Sequence, residues 1–261
     1  MEFKNILFQK EGEVGIITIN RPEQRNALDL DTRKEMLQAL QDIRKDGKLK
    51  VLIITGSGEK AFASGADIHL LKEMKPTECF EFFENFSHKL YDEIENLEIP
   101  VIAMIKGYCL GGGCELAAAC DMRIASEDAK FGHPEVNLGL IPSGGATQRL
   151  PRLIGIGRAK ELILTGRIIE AREAERIGLV NHVVPVGELE KAVKETASMI
   201  AEKGPISIKM AKKALNEGLK GNFDTAMQYE IALQSVCFST NDHSEGIEAF
   251  LEKRKPKFKG K

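Results

Sequence analysis

Apolar positions along the chain recur with two different periods. Residues 14–20 (VGIITIN) form a near-continuous apolar run and predict a buried strand. Over residues 29–45 the period changes: Leu30, Arg33, Met36, Leu37, Leu40 and Ile43 recur at helical spacing, and Asp29 stands where an N-cap belongs. Strands are predicted again over 51–55 (VLIIT), 100–105 (PVIAMI), 122–125 (MRIA) and 179–184 (LVNHVV). A helix is expected over 77–96, carrying Phe80, Phe82, Phe83 and Phe86 at core-like spacing. From residue 187 the pattern is helical only, over 187–202, 205–218, 222–238 and 242–253, with Ala226, Tyr229, Glu230 and Leu233 marking one periodic face. Strand–helix alternation followed by helices alone predicts an α/β core with a helical extension.

Composition narrows the class. The chain has 261 residues, 43% apolar and 29% charged, which suits one domain or a domain with an extension. Its longest apolar run, 99–105, is broken by Pro100 and falls far short of the ~20 residues of a spanning helix. The N-terminus lacks a signal-peptide pattern, so a mature cytoplasmic protein is expected. A net charge of −2 offers no general attraction for nucleic acid or an anionic membrane. Residues 253–261 (KRKPKFKGK) nevertheless hold six basic side chains and no acidic one; setting them aside takes the net charge from −2 to −8. This tail reads as a solvated end or as a contact for phosphates. Nucleic-acid binding through it is the alternative of a different class, and the acidic body opposes it. The five cysteines, at 79, 109, 114, 120 and 237, form no CxxC and predict buried free thiols, with no metal site.

Three segments concentrate small residues and acids. In 107–120 (GYCLGGGCELAAAC), glycines follow a strand and open an alanine-rich helix. Such a helix start allows close approach and offers unpaired N–H groups to an anion or a developing oxyanion. Glu115, three residues after Gly112, would sit on the same helix face. In 61–68 (AFASGADI), small residues again follow a strand. In 131–151 (FGHPEVNLGLIPSGGATQRLP), Glu135 stands among apolar and turn residues that can raise a carboxyl pKa. No dinucleotide fingerprint or Walker spacing is present.

Taken together and in order, with 20–28 (NRPEQRNAL) before them and 245–260 (EGIEAFLEKRKPKFKG) after, these segments resemble the crotonase family, and within it the short-chain enoyl-CoA hydratases. The resemblance covers nearly the whole chain. It implies an α/β fold, a crotonase-like spiral of ββα units over residues 1–199, with a C-terminal helical trimerisation segment and basic tail over 200–261. It implies hydration of a short-chain trans-2-enoyl-CoA to a 3-hydroxyacyl-CoA, with a homotrimer or a dimer of trimers as the assembly. CoA is then part of the substrate, and no cofactor or metal is called for. By matched position, the amides of Ala66 and Gly112 form the thioester oxyanion hole, and Glu115 and Glu135 are the catalytic acids. Arg25, Ala27, Ala63, Ser64, Gly65, Asp67, Ile68, Gly111 and Pro134 line the substrate and CoA. The same resemblance leaves 3-methylglutaconyl-CoA hydratase and enoyl-CoA isomerase as alternatives. It places Phe80 and Phe83 near the acyl pocket and a subunit contact, and the basic tail near the CoA of its own or a neighbouring subunit. Asn26 reads as a structural turn residue. Residues 143–146 (SGGA) and His69 depart from the usual pattern, and His133, two residues from Glu135, is a candidate to adjust it.

Overall fold

The computed structural model describes residues 3–72 and 74–261, apart from the side chain of His69, so the departure noted at His69 lies outside the described side chains. Strands β1 (Ile6–Glu11) and β2 (Val14–Ile19) form a hairpin, followed by helix α1 (Leu30–Lys45). Next come β3 (Val51–Gly56), β4 (Ala61–Ala63) and the short helices α2 (Ile68–Lys72), α3 (Pro76–Phe82) and α4 (Lys89–Glu95). A third group is β5 (Val101–Ile105), β6 (Tyr108–Leu110) and α5 (Gly112–Ala119). It precedes β7 (Met122–Ser126), β8 (Lys130–Gly132), α6 (Ala146–Ile154) and α7 (Ile156–Thr165). The chain continues through β9 (Ile168–Glu170), α8 (Ala171–Arg176) and β10 (His182–Val184). Helices α9 (Leu189–Ala201), α10 (Pro205–Gly218), α11 (Phe223–Phe238) and α12 (Asn241–Leu251) complete it.

Among the described residues, the first sheet has the order β1-β2-β3-β5-β7-β10 and the second β4-β6-β8-β9. Beyond the antiparallel hairpin, the first sheet is parallel. Three times a strand of the first sheet leads into a three-residue strand of the second and then towards a helix, which is the expected spiral of ββα units. Strands β4, β6, β8 and β9 leave no mark on the periodicity, because three residues are too few to display one. In β1 only Ile6 is buried, so the alternation that would reveal it is missing. The expected strand 179–184 shortens to β10 for a related reason: Leu179 and Val180 are buried in the turn that precedes it.

Both faces of the first sheet are covered, which explains its continuous apolar runs. Ile16, Ile53, Ile102 and Ile124 meet Leu189, Val193 and Ala197 of α9. The opposite face, with Ile17, Leu52, Ile54 and Ala103, packs among Met36 and Leu40 of α1, Leu90 and Ile94 of α4, and Leu116 of α5. Asp29 caps α1 as expected, its Oδ1 accepting from Thr32 N at 2.7 Å. The helix expected over 77–96 is α3 and α4 joined by a π-helical turn, Phe83–His88. Phe82 is buried there, whereas Phe80 is exposed.

The expected division at 199/200 falls inside α9, which packs on the sheet; the chain leaves that layer at Pro205. Helix α10 is tied back by Lys212, whose Nζ donates to Asp121 at 2.7 Å and to Ile99 O at 3.1 Å. All five cysteines are free, and Cys109, Cys114 and Cys120 are buried. No helix among the described residues is long and apolar enough to cross a membrane.

Candidate active site

Parallel pairing of β4 with β6 brings two small-residue loops out at one end of the second sheet. Ser64, Gly65, Ala66 and Asp67 follow β4; Gly111 and α5 follow β6. A β-carbon on Gly113 would collide with the Ala63 carbonyl oxygen, so glycine is what lets α5 seat against β4. Gly111 turns the chain into α5 at φ +49°, a conformation that favours glycine. Ala66 N and Gly112 N then border one small space: a β-carbon on Gly112 would lie 3.4 Å from Ala66 N, and one on Gly65 3.4 Å from Gly112 N. Gly112 N belongs to the first turn of α5, whose amides lack an intrahelical acceptor and sit at the positive end of the helix dipole. The Ala66 loop is pinned from behind, with Leu28 N donating to Gly65 O at 2.8 Å. Gly112 is pinned through its carbonyl, which accepts from Tyr91 Oη at 2.8 Å; Arg33 Nη1 in turn donates to that hydroxyl at 3.2 Å. Sequence reasoning missed Tyr91 and Arg33 in this role: Arg33 read as a member of a core-facing helix stripe, and Tyr91 carried no signal beyond its place in the helix expected over 77–96.

The carboxylates enter from two other elements. Glu115, in the first turn of α5, is only 4% exposed. Its Oε1 accepts from Gly144 N at 2.6 Å and Ala146 N at 3.1 Å. Burial raises its pKa above the ordinary carboxyl value, and the nearby Glu135 adds to that; His133 and the two amides partly offset the rise. The SGGA segment, read from sequence only as a departure from pattern, is thus the cradle of Glu115. Pro134 opens a short 3-10 turn after β8 and Glu135 follows it. Glu135 Oε1 lies against Gly111, 3.2 Å from where a β-carbon would stand, and its Oε2 is buried without a partner among the described residues. Both acids therefore meet beside the Ala66 and Gly112 amides.

The remaining predicted positions form one wall. Ser64 N donates to Arg25 O at 3.0 Å, joining the 25–28 and 63–68 stretches. Arg25 adopts φ +51° and places its guanidinium over the Tyr108 ring at 5.7 Å. Asn26 is fully buried, its amide donating to Ser57 O at 2.9 Å and Ala61 O at 2.7 Å, the structural turn role expected of it. Ala27 and Ala63 are buried, Asp67 lies 3.5 Å from Arg21, and Ile68 is exposed. The basic tail is not part of this wall. It folds back on α12, with Lys259 N and Gly260 N donating to Asp242 at 2.7 and 2.8 Å and Arg254 bonded to Glu245. Lys255, Pro256, Lys257 and Phe258 line a cavity with Glu13, Val14 and Lys50, at the entry ends of β2 and β3. The Arg25–Leu28 stretch follows the exit end of β2, about 17–20 Å away along strands of this length.

Comparison with known proteins agrees with this fold. The enoyl-CoA hydratase/isomerase family profile matches residues 9–261. The chain is 48% identical to the short-chain-enoyl-CoA hydratase of Clostridium acetobutylicum, over 98% of this chain and 97% of that one. It is 47% identical to the crotonyl-CoA hydratase of Syntrophomonas wolfei, over 99% of both chains. The crystal structure of an enoyl-CoA hydratase from Bacillus anthracis superposes with a TM-score of 0.96 at 43% identity, covering 99% of this chain and 100% of that one. Fold, segment order and full-length similarity coincide, and the chain belongs to the enoyl-CoA hydratase/isomerase family.

Proposed function

We propose that this site adds water to a short-chain trans-2-enoyl-CoA, giving a 3-hydroxyacyl-CoA, and catalyses the reverse dehydration. The observation that carries this reading is the convergence of Glu115 and Glu135 beside the Ala66 and Gly112 amides. Attack of water on the β carbon drives electron density onto the thioester oxygen. Two amide donors stabilise that oxyanion, and losing one such donor typically costs about 3–4 kcal/mol in barrier. The water oxygen bonds to the β carbon, one water proton is taken up, and a proton is delivered to the α carbon. Glu135 holds the water and exchanges protons with it. Glu115, anchored by Gly144 and Ala146, orients the same water. Water and thioester suffice for this reaction, so it calls on no redox cofactor or metal. Arg25, Ala27, Ala63, Ser64, Gly65, Asp67 and Ile68 line the CoA side; Gly111 and Pro134 back the reacting centre.

An isomerase needs one carboxylate to shuttle a single proton, so two carboxylates on one space favour hydration. The similarity to the short-chain and crotonyl-CoA hydratases supports a short acyl chain. Turnover of crotonyl-CoA against 3-methylglutaconyl-CoA and a 3-enoyl-CoA tests the reading. Preferential hydration of crotonyl-CoA is expected, and migration of the 3-enoyl double bond as the dominant activity would overturn it. The enzyme is read as a homotrimer or dimer of trimers, supported by exposed apolar side chains along α11. Five unpaired cysteines support a reducing compartment, the cytoplasm.

A further inference from the structure

The carboxylate pair poses a charge problem. Glu115 receives its hydrogen bonds from two neutral amides, and Glu135 keeps one oxygen buried without a partner among the described residues. Two carboxylates aimed at one water repel each other, and an uncompensated buried charge is costly. The nearby guanidinium groups are committed elsewhere. Arg149 pairs with Asp92 and Glu95, Arg167 with Glu161 and Glu173, and Arg123 with backbone carbonyls; Arg33, buried beside Gly112, donates to the Tyr91 hydroxyl.

His133 is the basic side chain set directly against Glu135. It is 1% exposed, and its Nδ1 lies 3.7 Å from Glu135 Oε1. Neither ring nitrogen closes a hydrogen bond of ordinary geometry, so the imidazole is buried, polar and aimed into the cluster. Facing it are Cys114 and Glu115 from α5 and Glu135 from its own turn, with Cys109 of β6 behind Cys114. Burial is the largest single influence on His133 and opposes its charge, but Cys114 and Glu135 together outweigh it and hold it well above the ordinary imidazole value. The Cys114 thiol is pulled below its ordinary value, first by the hydrogen bond from Cys109 and then by His133.

We propose that His133 is a positioning residue for the water site, a buried imidazolium whose Nδ1, 3.7 Å from Glu135 Oε1, fixes that carboxylate and lets the two acids share one water. This inference rests on the hydratase reading, and His133 touches no substrate atom in it.

The experiment compares the pH dependence of kcat/KM for crotonyl-CoA in wild type and His133→Gln. Glu115→Gln and Glu135→Gln serve as controls. Without the imidazolium the carboxylates hold a proton more readily, so the acid limb moves to higher pH. His133→Gln is expected to shift that limb and to lower kcat by roughly 10- to 100-fold with KM nearly unchanged, the scale of a misplacement of about 1 Å. An unmoved limb, or a loss equal at every pH, overturns the inference. Should His133→Gln fail to fold, the nitrogen resonances of the wild-type histidines decide: a buried imidazolium persisting at pH 8 is expected, and a neutral ring overturns it. Turnover surviving in both glutamine controls would instead sink the hydratase reading, which separates the two failures.

Discussion

Glu115 illustrates how a site residue opposes the stability of its own fold. Its raised pKa means that the folded chain holds the Glu115 proton more tightly than the unfolded one. The associated stability is fully present below the unfolded value of about 4.3 and is lost as pH rises through the raised folded value. At pH 7–8 the wild type therefore bears the cost of a buried carboxylate. Glu115→Gln removes that cost while its side-chain oxygen still accepts from Gly144 and Ala146. Its thermal midpoint should exceed that of the wild type by about 2–4 °C at pH 8, the effect of about 1 kcal/mol at this size. The gap should close near pH 4, and melting curves across that range check it. The same variant should lose at least ~10²-fold in kcat, as should Glu135→Gln. Because both acids act on one water, the double variant should lose less than the product of the two. Neighbouring glycines separate by the same logic. Gly112 has open angles and a tight but passable site, so Gly112→Ala should keep more activity than Gly112→Pro, which deletes the donor. Gly113→Ala should be worse than Gly112→Ala although it removes no donor, because its β-carbon meets the Ala63 backbone. Steady-state kinetics on the three variants order them.

Among the elements, α5 carries most of the site, since its first turn supplies both Gly112 N and Glu115. Its placement depends on β4 and β6, strands of three residues that have no independent stability. The far end of the chain shows a comparable dependence. Helix α12 is held by the tail, whose amides satisfy the buried Asp242. Phe258 packs beside Gly204 and Gly246, which joins the tail to the start of α10 as well. Deleting residues 253–261 should therefore lower the thermal midpoint, and Phe258→Ala should do so in part, through lost packing that salt does not screen. A rise in KM for acyl-CoA on deletion, shrinking as salt rises, would mean that the tail serves the CoA of its own or a neighbouring subunit. Lys212→Ala should cost about 3 kcal/mol by leaving Asp121 partly buried without its cation, measured by denaturant unfolding.

At the scale of the whole molecule, the C-terminal helices expose what a single chain has no means to cover. Phe223, Met227 and Ile231 follow one another at intervals of four along α11, and Leu215, Leu219, Phe238 and Phe250 are exposed on the same helical segment. The proposed trimer or hexamer would cover this surface, as exposed apolar patches of this kind commonly serve subunit contacts. Light scattering should give three or six chains per particle, and Ile231→Glu should shift the mass towards one chain by burying a charge in the contact.

The sequence by itself determined the layers and the chemistry. Long strands buried on both faces write continuous apolar runs, helices write a period of 3.6, and the order of the Gly-rich and acidic segments carried the family resemblance. Asp29 was legible for a local reason, since a cap is settled within a few residues; the turn at Asn26 is local through its bond from Arg21 N, whereas its amide reaches Ser57 and Ala61 across the fold. Tertiary structure alone decided which distant groups meet. Gly144 and Ala146 cradle Glu115 from about thirty positions away. Tyr91 and Arg33 hold Gly112 through side chains whose spacing matches that of core residues. The basic tail reads the same from sequence whether it binds phosphate or its own helix, since six positive charges specify a kind of partner and not a place. Periodicity records only which face of an element is buried; which atoms then come within hydrogen-bond distance depends on how the spiral closes, and no local stretch of sequence contains that information.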